Sequence, residues 1–228
     1  MRRPIVTFPL ELVRLLEVNW DIDWRSQSLG VTTSGASATV FNAFPRWVGT
    51  PEFRIPKERL GLWRAIRWQA QGRAGIYRVP MVDPHVSNLR RMPAWVEYSE
   101  KGIPFSGGAH FSNGLGFAFE PRLVVAQIAK PGDETLFVEV TSPDYRPNPG
   151  QIMSFGDWPF AVLSVADEGG SILRLGVQMQ RREIGAGETV KLLGTGLFEV
   201  SSDETGRLAY QKDGIARPKL ILQEYIQR

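Results

Sequence analysis

The hydrophobic pattern of the chain changes period as it is read from the N-terminus. Leu16, Val18, Trp20, Ile22 and Trp24 occupy every second position, with Glu17, Asn19, Asp21 and Asp23 between them, which predicts one strand with an apolar face. That face is expected to pack on its own core, with Trp24 at the strand end as a candidate for a subunit boundary. A Gly/Ser/Thr stretch follows from Ser26 to Thr39, and Val40 to Phe44 is expected to be the partner strand. Phe53 and Ile55 then alternate with Arg54 as far as Pro56, whose fixed φ and missing N–H end a ladder and suit a first helical turn. From Lys57 to Gln71 the period becomes helical. Leu62, Ile66 and Ala70 fall four apart with Leu60 and Trp63 beside them, while Arg59, Arg64, Arg67 and Gln71 take other faces. Gly72 is expected to close the helix in the left-handed conformation. After the Gly72 to Gly75 turn, Ile76, Arg78 and Pro80 alternate with Tyr77, Val79 and Met81, the pattern of a half-buried strand.

In the C-terminal half the apolar runs shorten. Leu136 to Val140, Phe160 to Val165, Ile172 to Val177, Val190 to Leu193, Leu197 to Val200, Leu208 to Tyr210 and Leu220 to Ile226 read as strands. Turns separate them at Asp167-Glu168-Gly169-Gly170, Gly185-Ala186-Gly187, Asp203-Glu204-Thr205-Gly206 and Lys212-Asp213-Gly214. The predicted fold is mainly β, a sandwich or barrel-like sheet with one amphipathic helix at about 57–71. One domain over 1–228 is expected, and no internal repeat at a fixed period is expected. The 23 glycines and 16 prolines agree with many short strands joined by turns.

Composition narrows the chemistry. There is no cysteine, so no disulfide framework and no thiolate, as suits assembly in a reducing cytoplasm. Met1 to Leu10 lacks the pattern of a signal peptide and no apolar run reaches membrane-spanning length, so neither secretion nor a membrane span is expected. His85 lies in an Asp-Pro-His turn, and His110 lies near Ser106 and Ser112 without a nucleophile elbow, so no catalytic residue is assigned. No phosphate-binding glycine motif, metal-ligand spacing or cofactor site is present in the pattern.

Two stretches resemble the distal tail and minor tail proteins of siphophages and gene transfer agents. One is the strand-helix-turn-strand cassette from Arg46 to Pro84, with Trp63, Trp68, Gly72, Gly75, Tyr77 and Asp83-Pro84. The other comprises Asn148-Pro149-Gly150-Gln151, Met153-Ser154-Phe155-Gly156, Phe160-Ala161-Val162 and Arg181-Arg182-Glu183-Ile184-Gly185-Ala186-Gly187-Glu188. The stretch from Glu97 to Glu120 has no counterpart in that pattern. The resemblance implies a virion protein assembled in the host cytoplasm, a ring subunit, hexameric in the family, between the tail tube protein and the hub or baseplate proteins. A ring built from identical copies needs two different edges on each subunit.

Arginines and aromatics set the alternatives. Arg46, Arg54, Arg59, Arg64, Arg67, Arg73, Arg78, Arg90 and Arg91 are interleaved with Trp47, Trp63, Trp68, Tyr77 and Trp95. Such interleaving suits a protein interface, a noncatalytic carbohydrate-binding tail module or, more distantly, an OB-like nucleic-acid binder. A net charge of +3 favours the interface, and no nucleic-acid partner is expected. Arg64 and Arg67 are candidate interface residues because they lie away from the apolar stripe. Phe105, Phe111, Phe117 and Phe119 join them, carried on a glycine-rich loop or arm at about 98–120. The loop's glycines make it look too flexible to hold its own fold and its phenylalanines make it look too apolar for water, so it is expected either to order on a neighbouring subunit or to fold back on its own.

Overall fold

The computed structural model describes residues 3–9, 12, 15–17, 19–31, 33–40, 42, 44–83, 85–87, 98, 101–140, 145–209 and 214–226, the side chains of 15–17 excepted. The fold is mainly β. The strands of the N-terminal half are β1 (Ile5–Thr7), β2 (Leu15–Glu17), β3 (Trp20–Asp23), β4 (Gln27–Val31), β5 (Ser37–Val40), β6 (Arg46–Gly49), β7 (Glu52–Phe53) and β8 (Ile76–Pro80), with helix α1 (Leu60–Ala70) between the last two. Further along come β9 (Arg122–Val125), β10 (Thr135–Glu139), β11 (Ile152–Phe155), β12 (Trp158–Gly169), β13 (Ile172–Gln178), β14 (Thr189–Lys191), β15 (Thr195–Val200) and β16 (Leu222–Glu224). The chain divides into two compact units, Met1–Val6 with Leu15–Tyr77 and Phe198–Arg228, and Thr7–Arg14 with Arg78–Leu197.

The first unit carries α1 and most of a six-stranded sheet of order β1-β8-β15-β16-β6-β3. Pro56 (φ −71°) leads a 3-10 turn, Lys57–Arg59, that runs on into α1. The helix buries Trp63, Ile66 and Ala70, spaced three and four apart. Trp63 decides which stripe faces inward: its ring packs 5.2 Å from that of Phe53, and its Nε1 donates to the Gly206 carbonyl at 3.0 Å. Leu62, expected in the stripe, is turned to the exposed side. The left-handed cap begins one residue earlier than expected, at Gln71 (φ 54°), and Gly72 (φ 65°) continues it into a second 3-10 turn, Gly72–Ala74. Gly75 permits the return: a Cβ there would lie 2.3 Å from the Ala70 carbonyl oxygen.

The period-two run from Leu16 to Trp24 is two strands rather than one. β2 pairs with β7 and β3 pairs with β6, Ile22 standing opposite Trp47. Val18 lies outside the described residues. Because β3 is an edge strand, its apolar face is incompletely covered: Trp20 packs on Phe198 at 5.0 Å, yet Trp24 is exposed. The strand beside β3 is Arg46–Gly49, not Val40 to Phe44, and the Gly/Ser/Thr stretch forms the hairpin β4–β5. Leu208 and Ala209 are not in a strand, while Tyr210, Lys212 and Asp213 lie outside the described residues.

The second unit contains a closed barrel of order β10-β13-β12-β11-β14-β9, completed by pairing of β10 with β9. Alternation along the strands fills it. Leu136 and Val138 of β10, Leu173, Leu175 and Val177 of β13, and Phe160 and Val162 of β12 are all buried in one cluster with Leu123, Met153 and Val190. A bulge at Leu163 interrupts β12 between Val162 and Ser164, turning Leu163 outward. Gly176 then faces Ser164 so closely that a Cβ would approach the Ser164 Oγ to 2.5 Å.

Candidate interaction surfaces

The residues that could be imagined in catalysis do not converge. The His85 amide donates to the Asp83 carboxylate at 2.8 Å, closing a turn. The His110 Nε2 is buried without a hydrogen-bond partner among the described residues, and no group of three or more His, Asp or Glu there is placed to hold a metal ion. The resolved electrostatic shifts are structural. Burial raises the Tyr77 phenol above its ordinary value, opposed by the Arg67 charge, and the Arg146 hydrogen bond lowers Asp167 on the surface.

The arginine and aromatic series is dispersed. Trp47, Trp63 and Tyr77 are core residues and offer no ring face for stacking. Arg78 is held by Asp157 through contacts of 2.8 to 3.1 Å, and Arg46 lies 3.6 Å from the Asp23 carboxylate. Arg90, Arg91 and Trp95 lie outside the described residues. The two candidate arginines on α1 separate. Arg67 is partly buried and donates to the Asp203 carbonyl at 3.0 Å, while the Asp203 carboxylate accepts the Arg73 amide at 2.7 Å, so Arg67 ties the helix to the 203–206 turn. Arg64 is exposed, one turn before Trp68, which is 73% exposed.

The glycine-rich loop has a fold of its own, contrary to its composition. Two consecutive turns repeat the same chemistry six residues apart, Phe105-Ser106-Gly107-Gly108-Ala109 and Phe111-Ser112-Asn113-Gly114-Leu115. In each, the Phe amide donates to the fifth residue's carbonyl and the glycine amide donates back to the Phe carbonyl, all at 2.8 Å. Gly108 and Gly114 take φ of 80° and 78°, which side chains disfavour. The repeat brings the rings of Phe105, Phe111 and Phe117 edge to face at 5.0 to 5.2 Å. Ile103 and Phe117 exchange amide and carbonyl at 2.8 Å, and Phe119 packs on Tyr98 at 5.8 Å. Phe105, Phe111 and Phe117 keep 41%, 44% and 50% of their surface exposed. The six-residue recurrence of Phe-Ser-x-Gly was the sequence signal for this miniature core.

Sequence reasoning missed the hairpin altogether. Every described residue of β4 is exposed, and Leu29, Val31 and Phe44 are each about 70% exposed, Val40 somewhat less. On the same unit, a groove of about 290 Å³ is lined by Asn19, Asp21, Val48, Thr50, Ser201 and Gln223 among others, with no aromatic ring among the described residues that line it. Compared with protein-family models and with curated proteins, the sequence matches none.

Proposed function

We propose that this chain is a structural subunit of a phage or gene transfer agent tail, building a ring at the distal end of the tail tube and joining it to the hub or baseplate. The observation that carries the reading is the quantity of apolar surface left bare on well-packed units: the β4–β5 hairpin, Trp68 and the phenylalanine triad. Surfaces of this kind belong to proteins that spend their working life covered by neighbours. The cassette around α1 and the stretch from Asn148 to Glu188 add the resemblance to distal tail proteins. The partners on this reading are copies of the chain, hexameric by that resemblance, together with tube and hub proteins in the virion tail. Its role is geometric, without catalysis or cofactor.

Gold-labelled antibody against the purified chain, applied to tailed particles from the producing host, is expected to decorate the distal tail tip. Label confined to the capsid, or absent from intact and tip-opened particles alike, overturns the reading.

A further inference from the structure

We infer that the β4–β5 hairpin is the ring contact itself, adding to the β1 edge of the next copy, which carries no further strand among the described residues; the inference rests on the ring reading above. Four observations converge on it. The hairpin strands pair only with each other among the described strands. A lone two-stranded hairpin is marginal in water, so this one needs a further strand or surface.

Its composition identifies that surface as another protein edge. From Ser26 to Pro45 there is no charged residue, in a chain that is 22% charged. A segment exposed to solvent for good would carry charges, both for solubility and to block edge pairing. This one instead exposes Leu29, Val31, Val40 and Phe44.

The same sheet supplies a matching acceptor. Its two ends are β3 and β1. The hairpin leaves directly from β3, through a turn in which Arg25 takes φ of 51° and its amide donates to the Asp23 carboxylate at 3.1 Å. At the far end, β1 lies in the uncharged run from Pro4 to Leu10, with Val6 buried and Ile5 and Thr7 exposed. Uncharged hairpin and uncharged edge are therefore at opposite margins of one sheet. A hairpin on one margin and an acceptor edge on the other let each copy give its hairpin to one neighbour and receive one from another. The result is a head-to-tail series that closes as a ring where the rotation between copies closes.

The absence of cysteine makes the test direct. Ile5→Cys is combined with Leu29→Cys, Val31→Cys or Val40→Cys, in three separate double variants of the full chain. After oxidation of the assembled protein, at least one double variant is expected to give a ladder of covalent multimers on a non-reducing gel. A mixture of the matching single variants is expected to stop at dimers. In parallel, Leu29→Lys with Val31→Lys is expected to abolish the multimer while leaving the thermal midpoint of the subunit unchanged. A multimer that persists in the lysine variant, with no ladder from any pair, overturns the hairpin contact and leaves the ring reading standing. Hairpin cysteines that link only to each other overturn it in favour of a two-fold hairpin pair. Covalent dimers with no larger species would mark reciprocal exchange in a two-fold pair and likewise overturn the inference. If the unmodified chain forms no multimer at any concentration, the ring reading and the inference fall together.

Discussion

The closed barrel and the open sheet of this protein solve the same problem in opposite ways. The barrel pairs β10 with β9, so all six strands have two neighbours and no edge is left. Its inner face is a continuous apolar cluster from Leu123 to Leu192. The six-stranded sheet ends in β1 and β3, and the strands that follow β3 form a hairpin that pairs with none of the other described strands. One region is finished by its own chain. The other is left with edges, and an edge in a native protein is either blunted or used.

The comparison can be sharpened by substitutions, beginning with the largest expected effect. Trp63→Ala should cost about 3–5 kcal/mol in urea unfolding, the range for emptying a buried aromatic site, and Phe160→Ala in the barrel a similar amount. A Trp63→Ala protein as stable as the parent would break the account of α1 as a packed element. Phe111→Ala should cost about 1–3 kcal/mol, because the ring takes part in two edge-to-face pairs of about 0.5–1.5 kcal/mol each. Hydrogen exchange gives the companion observation: the amides of Ile103 and Phe117 should already be protected in the free subunit, and fast exchange there would restore the picture of an arm that orders only on assembly.

Alkaline pH probes the core of the first unit. Burial holds the Tyr77 phenol neutral above its ordinary value of 10.0, whereas in the unfolded chain it ionises near that value. The folded state therefore binds more protons above about pH 10, and its stability, fully present below, falls as pH rises through the folded value. Tyr77→Phe should flatten that fall, and an unchanged alkaline unfolding profile would place the proton elsewhere. The smallest effects on stability should come from the helix surface. Arg64→Glu is expected to leave the unfolding free energy within about 0.5 kcal/mol of the parent. Arg67→Glu should lose roughly 1 kcal/mol, since it breaks the bond to the Asp203 carbonyl. Equal midpoints for the two variants would remove that distinction.

Much of the fold was legible where side chains alternate in long runs. Leu173, Leu175 and Val177 announce β13, and Pro56 with the Ile66 and Ala70 spacing announces α1, although the third member of its buried stripe is Trp63 and not the expected Leu62. What escaped shares a physical cause. The segment from Ser26 to Thr39 has the small polar composition of a loop, yet it forms strands because two such segments can pair by backbone alone. The run from Leu16 to Trp24 keeps perfect alternation across a break, since periodicity does not report which strand is the neighbour. The loop's glycines read as flexibility, whereas Gly108 and Gly114 supply the positive φ that lets two turns repeat. Arg67 looked available because it lies off the apolar stripe, but its partner, the Asp203 carbonyl, is 136 residues away in sequence. No local pattern could reveal it.

The central claim is that this chain closes a ring through unlike edges, and native mass spectrometry of the purified protein across a concentration series tests it most directly. The account predicts monomer at low concentration and one discrete larger species above it, of fixed copy number, with no ladder of intermediate sizes dominating. A monomer at every concentration, or a dimer as the terminal species, would contradict it.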